Sequence, residues 1–151
     1  MELARSCHYA IRGLVFLAGK ERPDQPVLLR DIAEAINAPE AFLSKIFQNL
    51  RASSIVRSHR GTERGYALAR DASEISMYDV IVATEGPASL HTSLVVTEET
   101  GGSFATLWTE VEALVASRLR STTIEDLVSL SKEGHNAQGA ARQGGVAASL
   151  G

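Results

Sequence analysis

Cysteine is nearly absent from this 151-residue chain, in which Cys7 stands alone. A single cysteine excludes an internal disulfide and a metal site built only of cysteines. The chain also lacks an apolar run of the roughly 18–20 residues that a membrane span needs. Its N-terminus has the spacing of an amphipathic helix, with arginines at positions 5 and 12, and does not resemble a signal peptide. We therefore expect a cytoplasmic protein.

Groups that could carry out catalysis are also scarce. Four scattered histidines, one cysteine without an evident partnering base and no Gly-rich phosphate-binding loop form no catalytic constellation. The sequence therefore predicts that the protein is not an enzyme.

Charge is distributed unevenly along the chain, although the net charge is only −3. Residues 1–70 contain eleven Lys and Arg against seven Asp and Glu, whereas residues 71–151 contain four against eleven. A basic half joined to an acidic half indicates that the first half binds a polyanion, although basic solvated faces are common.

The first half has the pattern of three helices followed by a β-hairpin. Apolar spacing predicts helices over 3–18, 29–36 and 39–52, and the last two form a helix-turn-helix. The third helix should bury one apolar face made of Phe42, Leu43, Ile46, Phe47 and Leu50.

Two strand-like segments, 55–59 and 65–69, follow the third helix. Gly61 and Gly65 permit the positive φ angles of a narrow hairpin loop. The expected fold is mainly α with a small β-hairpin, which is a winged helix-turn-helix.

The second half should contain three more helices. Ser76 and Thr123 begin capping boxes that predict helix starts, and an apolar stripe predicts a long helix over 103–121. The last helix should end near Leu130, because the Gly/Ala-rich residues from Gly134 onward have no apolar pattern. The predicted units are a winged helix-turn-helix domain, a sensor loop with dimerisation helices, and a flexible tail, at residues 1–72, 73–131 and 132–151.

The segments LLRDIAEAI, PEAFLSKIFQNLRASSIVRSHRGTERGYALARD and ISMYDVIVATEG resemble the bacterial Rrf2 family of transcription regulators. The resemblance covers about residues 1–130. It implies a homodimer joined largely through the long helix at 103–121, binding to double-stranded DNA with a palindromic operator.

The chain departs from the family pattern in its wing and recognition helix. Arg64 occupies the place of a glycine in the family's Gly-x-x-Gly-Gly-Tyr wing, and it would cost roughly 1–2 kcal/mol if that position is left-handed. Alternatively, Arg64 adds a phosphate contact. Ser44 stands where one branch of the family has an acidic residue that reads bases.

The sensor loop departs further. Cluster-binding members have three cysteines before the dimer helix, whereas this chain has PASLHTSLVVTEETGGS. Because an iron–sulfur cluster needs thiolate ligands, we expect no cysteine-ligated cluster and no other cofactor or metal. His8 matches a position from which some members offer a non-cysteine ligand.

The predicted DNA-contacting residues lie on the third helix and the wing: Ser44, Lys45, Gln48, Arg51, Arg57, Arg60 and Arg64. Ser44 and Gln48 would contact base edges, and Lys45 a phosphate or a guanine. Arg60 would enter the minor groove, where narrow A·T-rich segments concentrate negative potential. Arg51 and Arg57 are either phosphate contacts or surface charges. The alternative for the whole set is an exposed, solvated polar surface.

The candidate effector or redox residues are Cys7, His8, His91 and Trp108. Cys7 is either a core residue or a redox site, and Trp108 either a packing anchor or a ligand platform. His8 and His91 either share a pocket between the first helix and the sensor loop or are unrelated.

The function predicted from these patterns is a homodimeric DNA-binding transcriptional regulator, which we expect to be a repressor. It would respond to a small molecule, to thiol chemistry at Cys7 or to a protein partner. The alternative is a winged-helix protein-interaction module that does not bind DNA and holds an acidic partner on its basic face.

Overall fold

The computed structural model describes residues 3–62, 64–87 and 102–143, with side chains described as far as residue 133. Within these ranges the elements are α1 (Arg5–Ala18), α2 (Leu29–Ala35), α3 (Glu40–Ala52), β1 (Val56–His59), β2 (Gly65–Leu68), a 3₁₀ turn (Ala72–Glu74), α4 (Met77–Glu85), α5 (Gly102–Ser121) and α6 (Ile124–Gln143). This is the predicted helical fold with one antiparallel two-stranded hairpin.

The core lies where α1 crosses α3. Leu14 and Leu17 of α1 are buried against the α3 side chains Leu43 and Phe47. Gly13 allows this approach, because a Cβ at that position would lie 3.1 Å from the Phe47 ring. The apolar faces predicted for α1 and α3 therefore pack against each other.

The turn between α2 and α3 depends on a left-handed residue. Asn37 has a φ of 51°, and the N–H of Ala38 donates to the carbonyl of Ala33 at 2.9 Å. Asparagine tolerates this conformation better than most residues. The chain can therefore end α2 and begin α3 within a few residues.

The expectation that Phe42 belongs to the core is wrong. Phe42 is 37% exposed at the edge of α3, where its ring packs edge-on against Tyr9 with the centroids 5.8 Å apart. The spacing places Phe42 next to the apolar face, but α1 covers only part of its ring.

The hairpin is held to the rest of the domain through Val27. The Val27 and Tyr66 backbones exchange two hydrogen bonds, at 2.9 and 2.8 Å, so that Val27 lies against β2 like a third strand. The Tyr66 ring packs edge-on against Phe47 with centroids 5.1 Å apart. Tyr66 therefore anchors the hairpin to the core.

The capping boxes begin α4 and α6 as predicted. The Asp79 N–H donates to Ser76 Oγ at 3.1 Å, and the Ser76 N–H donates to Asp79 Oδ2 at 3.3 Å. Thr123 and Asp126 make the equivalent pair. Hydrogen bonds from the Thr123 backbone and hydroxyl hold the pKa of Asp126 below its usual value.

α6 is longer than predicted, because it continues to Gln143 rather than ending near Leu130. Its first turn is fixed by the capping box, and each added residue of an established helix costs little. Gly134 and Gly139 each destabilise a helix interior by about 1 kcal/mol relative to alanine. The helix nevertheless continues through both. The helix therefore includes the first part of the predicted tail, and residues 144–151 lie outside the described part of the chain.

Candidate nucleic-acid interface

The outward face of α3 is short or polar. Ala41, Lys45 and Gln48 are exposed on it, and Ser44 is half-buried beside them. The amide of Gln48 donates to Ser44 Oγ across one helical turn at 3.5 Å, a long contact that a better partner could replace. Three of the predicted DNA-contacting residues, Ser44, Lys45 and Gln48, therefore lie together on an accessible ridge.

A groove of about 400 Å³ separates α3 from the hairpin, and we call it the wing groove. Its lining comes from α3 (Glu40, Arg51), from the hairpin (Ser58, His59, Arg60, Arg64, Gly65, Tyr66) and from the start of α2 (Leu28, Leu29, Arg30). Three of the four predicted arginines, Arg51, Arg60 and Arg64, thus meet in one concave surface. Ser44 falls between Glu40 and Arg51 on the same edge of α3 at helical spacing.

Arg57 lies elsewhere. It lines a second groove of about 680 Å³, which we call the back groove. Its Nη2 donates to the carbonyl oxygen of Asp24 at 3.4 Å. The structure therefore separates Arg57 from the other predicted DNA-contacting arginines.

The wing groove contains charged residues that sequence reasoning did not select. Arg30 and Glu40 both line it and both are exposed. Arg30 has no distinguishing local sequence signal, because only the pairing of Val27 with Tyr66 brings the start of α2 to the hairpin. The conditional strain at Arg64 stays a prediction, since the preceding peptide belongs to Glu63, outside the described residues.

His59 also lines the wing groove, and its ring is partly enclosed. The His59 Nε2 atom is buried and has no hydrogen-bond partner among the described residues. Sequence reasoning missed this residue because nothing local distinguishes it from any other strand position.

The structure separates the candidate effector residues that it describes. Cys7 is fully buried beside Ile81, whereas His8 is exposed. Burial raises the pKa of the Cys7 thiol; a hydrogen bond with Thr84 acts in the opposite direction, and the nearby Glu85 carboxylate adds to the rise. His91 lies outside the described residues.

Glu85 connects Cys7 to the start of α1. Its Oε1 accepts a hydrogen bond from the backbone N–H of Ala4 at 2.8 Å, which places a carboxylate at the positive end of the helix. Cys7 therefore lies near the hydrogen-bonded start of α1.

Trp108 is half-buried on α5. Its Nε1 donates to Glu112 Oε1 at 3.2 Å, and its ring stacks on Phe104 with centroids 6.3 Å apart. Packing against its own helix accounts for the position of Trp108. A packing anchor is the simpler of its two predicted roles.

Neither a metal cluster nor a membrane span occurs in the part of the chain that the structure describes. Residues 3–62, 64–87 and 102–143 contain no group of three or more His, Cys, Asp or Glu arranged to hold a metal. No helix in these ranges has the length and apolarity to cross a bilayer.

Comparison with known proteins gives consistent results. The family Rrf2, described as "Iron-dependent Transcriptional regulator", matches residues 3–130. The HTH-type transcriptional regulator CymR of Bacillus subtilis is 32% identical over 129 residues, which cover 85% of this chain and 91% of CymR.

Solved structures show the same relationship. The structure of CymR, described as the global cysteine regulator of B. subtilis, aligns with a TM-score of 0.75 at 31% identity, over 86% of this chain and 98% of that one. T. potens IscR aligns with a TM-score of 0.69 at 29% identity, over 89% and 90%. The chain therefore belongs to the Rrf2 family of winged-helix, DNA-binding transcriptional regulators, which are not enzymes.

Proposed function

We propose that this protein is a homodimeric repressor that binds a palindromic operator and responds to a signal other than a three-cysteine iron–sulfur cluster. One observation carries the proposal: Arg51, Arg60 and Arg64 converge on the wing groove beside the polar ridge of α3. Arginines supply phosphate contacts that position a protein on the duplex, and short polar side chains on a helix can read base edges in the major groove.

Dimerisation is supported by the surface of α5. None of its residues is buried, and Leu107 and Leu114 are 54% and 70% exposed on one side of the helix. Leucines at this spacing form an apolar stripe that a second copy of the same helix would cover. Two subunits related by a two-fold axis would then present two wing grooves to paired half-sites.

A charged substitution in this apolar stripe tests whether it forms the dimer interface. Leu114→Glu should convert a dimer to a monomer, because pairing would bury the new carboxylate without a partner. Thr109→Glu is the matched control, since Thr109 is exposed on the other side of α5. Sedimentation equilibrium measures both variants. Equal dissociation in the two, or a wild-type monomer at micromolar concentration, would count against the stripe as the dimer interface.

The cluster is excluded from the proposal by the available ligands. Cys7 is the only cysteine of the chain, it is buried, and the segment from 88 to 101 has none. Thiolates are the usual ligands of such clusters, so the donor set does not fit. A small ligand, thiol chemistry at Cys7 or a protein partner remains as the signal. Anaerobic reconstitution that yields a stoichiometric iron–sulfur chromophore would overturn this part.

Repression is the simplest consequence of the binding mode, since a dimer seated on an operator that overlaps a promoter excludes RNA polymerase. In vitro transcription from such a template should fall when the protein is added.

Selection from a random DNA pool tests the proposed function as a whole. The recovered sequences should contain an inverted repeat, and the affinity for them should fall with salt at a log–log slope of about −0.9 per neutralised phosphate. If no duplex binds even at low salt, the winged domain is a protein-interaction module instead.

A further inference from the structure

We propose that the wing groove holds one phosphodiester strand of the DNA and that Arg30, at the start of α2, is one of the residues that bind it. Arg57, although adjacent in sequence to the wing, takes no part. The inference rests on the proposed function and refines it, because it identifies which basic surface meets the backbone.

Arg30 reaches the groove through a fixed backbone connection. Val27 is joined to Tyr66 by two hydrogen bonds, and α2 begins two residues later, at Leu29. This pairing fixes the start of α2 beside the loop end of the hairpin strands. Arg30 therefore lines the same groove as Arg60 and Arg64 through tertiary placement.

The arginines of the wing groove have little charge compensation from the residues that the structure describes. Arg30 pairs with Asp31 at 3.4 Å, but the two side chains are 71% and 48% exposed, and an ion pair this exposed contributes little. The guanidinium groups of Arg51, Arg60 and Arg64 make no hydrogen bond or ion pair with another described residue. A guanidinium matches the geometry of a phosphate with two parallel N–H donors, so four such groups around one groove favour an extended phosphate chain.

The back groove has the opposite balance. Its cations Arg57, Arg70 and Lys132 share a lining with Asp24, Asp71, Glu74 and Glu125. Arg70 also contacts the Asp79 carboxylate at 3.7 Å. A polyanion in this groove would meet these four carboxylates. The two grooves flank the same hairpin, but only the wing groove has an excess of positive charge.

Glu40 is the one described carboxylate in the lining of the wing groove, and it provides a charge test of the opposite sign. A phosphate strand next to Glu40 is repelled by it, so neutralising this residue should strengthen binding. A phosphate strand that passes elsewhere would not respond to Glu40.

The experiment compares Arg30→Ala, Arg57→Ala and Glu40→Gln in the full chain, using a duplex recovered from the random pool. Fluorescence anisotropy gives the dissociation constant at several salt concentrations between 50 and 200 mM. Each lost phosphate contact should reduce the steepness of log affinity against log salt concentration by about 0.9. Over this salt range, the fall in affinity of Arg30→Ala should therefore be about 3.5-fold smaller than the fall for the wild type. Glu40→Gln should bind several-fold more tightly, and Arg57→Ala should match the wild type.

Two further variants guard against a folding artefact. Arg30→Lys keeps the charge and should restore the slope, although it loses the paired N–H geometry. Arg30→Gln keeps a long polar side chain and should behave like Arg30→Ala. Thermal unfolding verifies that each variant is folded.

A wild-type slope in Arg30→Ala and Arg30→Gln would refute the inference while leaving the proposed function intact. Equal losses in Arg30→Ala and Arg57→Ala would also refute it, because the two grooves would then contribute alike. If the wild type binds no duplex, the proposed function itself fails, and this inference fails with it.

Discussion

Replacing Gly65 with alanine should separate the hairpin from the Val27 segment. Gly65 has a φ of 146°, a region that residues with a Cβ rarely adopt. An alanine Cβ would lie 2.4 Å from the Val27 carbonyl oxygen and 2.6 Å from its carbon, both backbone atoms. Because neither atom belongs to a flexible side chain, the backbone itself must move.

The magnitude follows from what that movement breaks. The two hydrogen bonds between Val27 and Tyr66 contribute about 1–3 kcal/mol together. A residue held in an unfavourable φ/ψ region adds about 1–3 kcal/mol. The free energy of unfolding should therefore fall by about 2–6 kcal/mol, out of the roughly 5–15 kcal/mol typical of a domain.

Gly61→Ala is the matched control. Gly61 also has a positive φ, of 91°, but an added Cβ there would have no atom within 4 Å. Its cost is the backbone conformation alone, about 1–2 kcal/mol, partly offset by reduced entropy of the unfolded chain. Urea denaturation followed by circular dichroism measures both variants. If Gly65→Ala is no less stable than Gly61→Ala, the close approach of Val27 is not what requires glycine at position 65.

Two further predictions concern parts of the molecule away from the proposed DNA-binding surface. Ser76→Ala removes the hydroxyl that accepts the Asp79 N–H, so it should lower the free energy of unfolding by about 1 kcal/mol in urea denaturation; no change would mean that the capping box does not stabilise α4. Burial raises the pKa of Cys7 above its ordinary value of 9.0, so the folded protein keeps a neutral thiol that the unfolded chain would ionise. Stability relative to Cys7→Ala should therefore be constant below pH 9.0 and should fall as the pH rises toward the folded-state pKa, and a difference that stays flat above pH 9.0 would contradict this assignment.

Apart from the end of α6, the helices and their ends are predictable from the sequence because they depend on neighbouring residues. α1 and α3 lie close to the predicted ranges 3–18 and 39–52. The capping boxes at Ser76 and Thr123 begin helices as expected, since each joins residues three apart. Interactions of this range can be recognised from sequence alone.

The predictions are wrong where residues beyond the immediate neighbours decide the outcome. Phe42 fits the apolar spacing of α3, but the extent of α1 determines how much of its ring is covered. α6 passes through Gly134 because an established helix tolerates poor helix formers better than a new one does. The Gly/Ala-rich composition of this segment predicts a tail, because composition alone does not show that helical turns precede it.

The sequence by itself determined a basic winged helix-turn-helix, the polar outer face of α3 and a chain without the cysteines of a cluster. The tertiary structure decided which positive charges act together. Val27 pairs with Tyr66 and brings Arg30 into the wing groove, while Arg57 lies with acidic side chains in the back groove. Helical periodicity and capping are short-range, so a sequence displays them directly. The meeting of charges from α2, α3 and the hairpin is long-range, and only the folded backbone brings it about.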